Sequence, residues 1–271
     1  MNGPFPPFEP HGGGGPRIRE IPLRLMVPNF VTILAICAGL SGIRLAFEHQ
    51  IETAVIMVLF AAFLDAIDGR LARMLKATSK FGAEMDSLAD IVNFGAAPAM
   101  VLYAYLLDRA GAIGWIAALL FAIACALRLA RFNVMLNDDS RPAWQGDYFV
   151  GVPAPAGAGL VMLPIYLGFL GLAPNRMVAF GACVYTVVIA FLMVSRLPVY
   201  SGKVSGNRVR RELAVPLMLA LVFYTLLLAS YTWLTLAVSA VAYLIFLGFS
   251  VRAYSRRAAR EEAAAKVAEE G

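Results

Sequence analysis

The chain has 271 residues, of which 60% are hydrophobic and 15% are charged, and its formal net charge is +5. A soluble domain is nearer to about half apolar and about a quarter charged, so this composition excludes an ordinary soluble protein. A nucleic-acid-binding surface is disfavoured too, because the basic residues are spread over the ends of apolar segments instead of gathering on one face. The sequence predicts an all-α polytopic membrane protein.

A tail rich in Gly and Pro, residues 1–24, opens the chain and reads as flexible and cytoplasmic. Apolar runs of about 17–25 residues follow, long enough to cross a hydrocarbon core of about 30 Å as helices. We predict about eight transmembrane helices, at 27–47, 51–69, 85–107, 112–135, 153–172, 176–194, 213–229 and 233–250. The last two form one apolar stretch that a bent hairpin turning at 230–232 also fits.

Lys and Arg set the orientation of these helices, because cytoplasmic loops carry an excess of both. With the N-terminus in the cytoplasm, most basic residues fall on one side, including Arg70, Arg73, Lys76 and Lys80 between the second and third helices. The opposite side holds only Arg44, Arg109 and Arg176. This separation predicts an even number of crossings with both termini inside.

Four aspartates cluster where the second and third predicted helices meet this cytoplasmic side. Asp65 and Asp68 are three residues apart, and Asp86 and Asp90 are four apart, so each pair shares a helix face. Carboxylates near hydrocarbon need a partner, and divalent cations with oxygen ligands, Mg²⁺, Mn²⁺ or Ca²⁺, would supply one. The absence of His and Cys argues against zinc. Ion pairs with Arg70, Arg73 and Lys80 are the structural alternative.

Small residues lie beside the aspartates on the same helix faces. Gly69, Ala72 and Gly82 leave room for a flat base or a phosphate against the helix. Close helix–helix packing of the small-xxx-small kind would place the same residues there. The sequence leaves both interpretations open for the two glycines.

The spacing D-x2-D-G-x2-A-R-x8-G-x3-D-x3-D resembles the signature of the CDP-alcohol phosphatidyltransferase family. Eight residues fill it without departure: Asp65, Asp68, Gly69, Ala72, Arg73, Gly82, Asp86 and Asp90. The resemblance implies a catalytic core of six transmembrane helices at residues 25–195. A cytoplasmic loop with two additional helices would then occupy 196–250, and a cytoplasmic tail 251–271.

The resemblance also implies roles for these residues. Asp65, Asp68 and Asp86 match the metal ligands, and Asp90 matches the general base, which we also count among the candidate ligands. The positions that bind the CMP part of CDP-diacylglycerol match Gly69, Ala72, Arg73 and Gly82. Asn29, which opens the first helix, is a candidate pyrophosphate contact. The implied cofactors are Mg²⁺ or Mn²⁺, with Ca²⁺ as a further candidate.

Longer segments resemble the bacterial membrane-bound phosphatidylserine synthase branch of the family. They are VPNFVTILAICAGLSGIRLA, MDSLADIVNFGAAPA, LRLARFN and GVPAPAGA. This branch implies L-serine as the acceptor, and Arg128 and Arg131 are candidates to bind the serine carboxylate. Both arginines also match the excess of basic residues that marks the cytoplasmic ends of transmembrane helices. Glycerol phosphate, inositol phosphate or choline as acceptor, and more distantly a cation transporter, remain alternatives.

The partners expected from this resemblance are CDP-diacylglycerol, L-serine and membrane lipids, with no nucleic acid and with a homodimer as one expected assembly. The expected location is the bacterial cytoplasmic membrane, with several crossings and a cytoplasmic active site.

Overall fold

The computed structural model describes residues 23–75, 79–136, 148–195, 197–200 and 211–250. Up to residue 136, its helices are α1 (Leu23–Phe47), α2 (Ile51–Met74), α3 (Lys80–Asp90), a π-helical segment (Ile91–Ala96), α4 (Ala97–Tyr105), a 3₁₀ turn (Leu107–Ala110) and α5 (Ala112–Leu136). From residue 148 onward, the elements are β1 (Tyr148–Val150), α6 (Ala154–Val161), α7 (Leu163–Phe169), α8 (Arg176–Val194), β2 (Pro198–Tyr200), α9 (Arg211–Ser230) and α10 (Thr232–Ser250).

The helices confirm an all-α polytopic membrane protein. Five helical segments are long and apolar enough to cross a membrane: Met26–Phe47, Phe81–Tyr105, Ala112–Met135, Arg176–Val194 and Thr232–Ser250. Two apolar helices are shorter, Ala154–Phe169 and Val215–Ser230, and α2 has 24 residues with Glu52 in its first turn and its other charges toward its C-terminal end. Every predicted span thus coincides with helix, while the number of full crossings stays a prediction.

The outside of the bundle is apolar, as a lipid-facing surface should be. Large hydrophobic side chains point away from the core on most helices, for example Phe63 and Phe191, which are 59% and 71% exposed. A soluble protein rarely exposes apolar patches that are this extensive. The described surface therefore fits hydrocarbon as its surroundings.

The interior is built largely from small residues that let helices approach closely. α1 packs along α2, and α5 packs along α8. At Gly42 of α1, an added Cβ would lie 3.0 Å from Val58 and 3.1 Å from the carbonyl oxygen of Ala54, both on α2. Gly42 therefore sets the close approach of α1 to α2, the two helices that flank the aspartates.

The third predicted span is a helix with a π-helical interruption, which periodicity alone did not predict. α3 runs into Ile91–Ala96, where the Ala97 amide bonds to the Val92 carbonyl five residues back. Pro98 follows, and proline lacks an amide hydrogen and crowds the carbonyl of the residue four positions earlier. Widening the helix just before Pro98 relieves this conflict.

The C-terminal stretch is a helical hairpin, as one of the two sequence interpretations predicts. α9 ends at Ser230 and α10 begins at Thr232. α10 docks on the core through buried Ala237, Ala240 and Leu247, and Trp233 stacks on Phe169 with ring centroids 4.4 Å apart.

A short ribbon lies outside the helical pattern, since β1 pairs antiparallel with β2 and ties the segment before α6 to the segment after α8. The predicted tail up to residue 22, the tail 251–271, the loop residues 201–210 and Lys76 lie outside the described residues. The domain boundaries therefore stay predictions.

Candidate active site

Three aspartates from two helices meet beside α1. Asp65 and Asp68 share a face of α2, and Asp86 of α3 approaches them. One carboxylate oxygen from each of the three lies within 4.8 Å of the others. Oxygens grouped in this way can hold a hard divalent cation.

This trio has oxygen atoms available for a cation. Oδ1 of Asp65 and Oδ1 of Asp68 are buried without a hydrogen-bond partner among the described residues. Leaving a buried carboxylate oxygen unpaired costs free energy, and a bound cation would remove that cost. The residues therefore fit the divalent-cation site that the sequence predicts.

Ion pairing with arginine, one part of the structural alternative, does not account for the trio. In the described ranges, no Arg nitrogen lies within 4.0 Å of these carboxylates. Arg73 acts on Asp86 electrostatically from a longer distance, and the Lys80 side chain is not among those described. A bound cation would supply the counter-charge that the arginines do not.

A threonine of α1 orients Asp68. Thr32 Oγ1 donates a hydrogen bond to Asp68 Oδ2 at 2.7 Å, and Asp68 is only 2% exposed. Holding one oxygen in this way leaves Oδ1 to face a ligand, as partners of metal ligands commonly do. Sequence reasoning missed Thr32, because it lies 36 positions from Asp68, and its only signal was a hydroxyl in an apolar run.

Asp90 lies next to the trio but is held differently. Its carboxyl group interacts with that of Asp65, but it is not among the three whose oxygens converge. Arg128 of α5 acts on Asp90 electrostatically. Asp90 thus interacts both with the carboxylate trio and with a buried guanidinium.

A cavity of about 240 Å³ opens beside the trio, between α1, α2 and the start of α3. All five residues predicted to bind the nucleotide lipid line it: Asn29, Gly69, Ala72, Arg73 and Gly82. Asp68 and Asp86 form its inner edge, while Pro28, Thr32, Ser79 and Ala83 are lining residues that sequence reasoning did not single out. The structure therefore brings the small residues, Asp68 and Asp86 to one cavity, whereas Asp65 and Asp90 do not line it.

The start of α3 is shaped to receive an anion. Ser79 caps the helix by accepting a hydrogen bond from the Gly82 amide at 3.0 Å, and helix N-termini favour phosphate groups. A Cβ at Gly82 would lie 3.0 Å from Asn29 Oδ1 and 3.1 Å from Ser79 Oγ. Because Gly82 has no side chain, Asn29 and Ser79 can both lie at the cavity wall. The space beside Gly82 therefore serves the site, whether or not the glycine also favours close packing of helices.

The two candidate carboxylate-binding arginines have different surroundings. Arg128 is 8% exposed, lies 5.5 Å from the ring centroid of Phe132 and interacts with Asp90. Arg131 donates hydrogen bonds to the carbonyl oxygens of Val194 at 2.6 Å and Ser195 at 3.4 Å. Arg128 is therefore positioned beside Asp90, whereas Arg131 is engaged with the end of α8. The role of either in binding serine stays a prediction.

Comparison with known proteins agrees with this site. Residues 25–192 match the CDP-alcohol phosphatidyltransferase family. A CDP-diacylglycerol–serine O-phosphatidyltransferase of Mycobacterium leprae is 39% identical over 252 residues, which cover 92% of this chain and 82% of the relative. Enzymes of the same name from Helicobacter pylori and Bacillus subtilis are each 36% identical, over 73% and 63% of this chain and 81% and 88% of their own lengths. The chain therefore belongs to the CDP-alcohol phosphatidyltransferase family.

Proposed function

We propose that this enzyme transfers the phosphatidyl group of CDP-diacylglycerol to L-serine, giving phosphatidylserine and CMP in phospholipid biosynthesis. The observation that carries the proposal is the convergence of Asp65, Asp68 and Asp86 beside a cavity lined by the predicted nucleotide-binding residues. The names of the relatives support serine as the acceptor.

The cavity suits the CMP half of the donor lipid. Gly69 and Ala72 present little side chain toward it, so a base can lie against α2. Arg73 and Asn29, at its wall, offer hydrogen-bond donors for phosphate and base oxygens. The acyl chains would extend along the apolar helix surfaces into the bilayer.

Asp65, Asp68 and Asp86 would hold the divalent cation, for which we propose Mg²⁺ or Mn²⁺, with Ca²⁺ less favoured. Asp90 is a further candidate ligand through its contact with Asp65. When bound, such ions neutralise charge on the pyrophosphate and on departing CMP. The protein's own part is to fix the carboxylates, as Thr32 does for Asp68.

Transfer joins the serine hydroxyl oxygen to the phosphorus that bears the diacylglycerol, and it breaks the bond from that phosphorus to the CMP oxygen. Asp90 accepts the hydroxyl proton on a carboxylate oxygen, as a general base. Arg128, buried beside Asp90, is placed to attract the carboxylate of serine.

The experiment that tests the proposal uses purified full-length protein with CDP-diacylglycerol, Mn²⁺ or Mg²⁺ and a panel of alcohols. We expect phosphatidylserine and CMP in equal amounts with L-serine, and little product with glycerol 3-phosphate, inositol phosphate or choline. Identification of the lipid by mass spectrometry decides among the acceptors. A different phospholipid as the main product would overturn serine but leave the reaction class standing, whereas no CMP release with any alcohol would overturn both.

We further propose that the site and both termini face the cytoplasm, in a bacterial cytoplasmic membrane. The separation of Lys and Arg between the two sides supports this orientation. The homodimer that the family resemblance implies stays a prediction.

A cysteine at Met74, which is 80% exposed at the end of α2, is expected to react with an impermeant thiol reagent only after the cells are lysed. Arg109→Cys, exposed at the opposite end of the bundle, is the matched control and should react in intact cells. Both variants need Cys37, Cys125 and Cys183 replaced first. Labelling of Met74→Cys without lysis would reverse the orientation.

A further inference from the structure

Asn93 is a buried amide that has no hydrogen-bond partner among the described residues and follows Asp90 by three positions. It is 0% exposed, and neither Oδ1 nor Nδ2 makes a hydrogen bond with any described residue. It lies in the π-helical segment directly after α3, a type of irregularity that is often found at functional sites. An unpaired buried amide is unfavourable, so its persistence calls for a ligand.

Helical rise places Asn93 on a line of polar residues that α1, α2 and α3 contribute, which we call the polar column. Thr32 and Asp68 form the first level, and Asp65 and Asp90 form the second. Asn93 follows Asp90 by three residues, roughly 4 Å deeper at about 1.5 Å per residue. Among the described residues, four of the six unpaired buried side-chain atoms belong to Asp65, Asp68 and Asn93. The unpaired polar atoms therefore concentrate in this column.

α1 is shaped to admit this amide. Gly39 lies seven residues beyond Thr32, which is two helical turns, and so faces the column as Thr32 does. A Cβ at Gly39 would lie 2.5 Å from Asn93 Oδ1, closer than packed atoms allow. Glycine at this position therefore holds open the place that the amide occupies.

We propose that Asn93 binds the acceptor, which is a small zwitterionic amino alcohol, at the level below Asp90. This inference rests on the proposed serine transfer and names a contact for that substrate. A carboxamide offers one acceptor and two donors without a charge, so it can accept from the ammonium group and donate to the carboxylate of the same molecule. Arg128 of α5 interacts with Asp90, and its positive charge would attract the carboxylate group of the bound acceptor. The acceptor hydroxyl would then lie next to Asp90.

The test replaces Asn93 by leucine, which keeps the branching of the side chain and removes both polar atoms, in the full-length enzyme. We expect KM for L-serine to rise at least about tenfold, because hydrogen bonds to charged groups are the strong class. KM for CDP-diacylglycerol should stay within about twofold, and the melting temperature should not fall, since two unpaired buried atoms are removed.

Gly39→Ala is a second variant, and it should also raise KM for serine because its Cβ displaces the amide. Thr186→Val is the matched control. Thr186 is also 0% exposed with an unpaired hydroxyl, but it lies on α8 outside the column, so its loss should leave KM for serine unchanged.

An unchanged KM for serine in Asn93→Leu would overturn the inference. Equal losses for serine and CDP-diacylglycerol together with a lower melting temperature would also overturn it, by showing a packing role only. Failure of the proposed function is a separate result, since it would appear in the wild-type enzyme as absence of phosphatidylserine.

Discussion

Alanine at Asp65, Asp68 or Asp86 is expected to lower the rate of phosphatidyl transfer at least about 10³-fold. Each carboxylate contributes an oxygen to the group that converges within 4.8 Å, and a cation that loses one ligand loses several kcal/mol of charge stabilisation. About 4 kcal/mol corresponds to about 10³ in rate. Initial rates of CMP release at saturating Mn²⁺ or Mg²⁺ measure the loss.

Metal affinity supplies a readout that does not depend on turnover. Mn²⁺ binding, followed by electron paramagnetic resonance, should weaken in all three variants, and chelation should abolish the activity of the wild-type enzyme. Glu84→Ala is the matched control, because Glu84 lies on α3 two residues before Asp86 but is exposed. It should keep activity within about twofold. Near-normal turnover in any trio variant would remove that residue from the cation site.

Local sequence pattern was enough to predict the helices and the cluster of four aspartates, while the choice of Asp65, Asp68 and Asp86 as the main ligands came from the family resemblance. Asp65 and Asp68 share a helix face because of their three-residue spacing, and a charged pair at the end of an apolar run needs a partner. These arguments use only neighbours along one helix. The structure confirms the predicted helices and brings Asp86 to the same point.

Contacts between distant positions were beyond this reasoning. The bond from Thr32 to Asp68 joins residues 36 apart, and the bonds from Arg131 to the end of α8 join residues 63 and 64 apart. Such pairs depend on which helices pack together and at what rotation, which periodicity does not specify. The π-helical segment depends on packing as well as on Pro98, so periodicity did not predict it. The burial of Asn93 was not predicted either, because this residue is a single polar position in an apolar stretch.

The separation of Asp90 from the trio leads to a prediction that distinguishes a base from a ligand. Asp90→Asn keeps the shape of the side chain and its position next to Asp65, but it cannot accept the serine proton. General-base help typically contributes about 10²–10⁴-fold. We therefore expect turnover to fall at least about 10²-fold while binding of CDP-diacylglycerol and Mn²⁺ stays within about threefold of wild type, since the trio is intact.

Measuring nucleotide-lipid binding, Mn²⁺ binding and rate on the same Asn variant separates the two roles of Asp90. If Asp90 is mainly a ligand, both affinities should collapse together with turnover, as in Asp86→Ala. If Asp90 is the base, Asp90→Asn should bind Mn²⁺ more tightly than Asp86→Ala does, although both variants turn over slowly. Turnover at the wild-type level would exclude Asp90 from the mechanism, and the proton would then have to leave the serine hydroxyl by another route. The contrast between these two variants is informative because Asp86 and Asp90 lie one helical turn apart, so general disturbance of α3 would affect both in the same way.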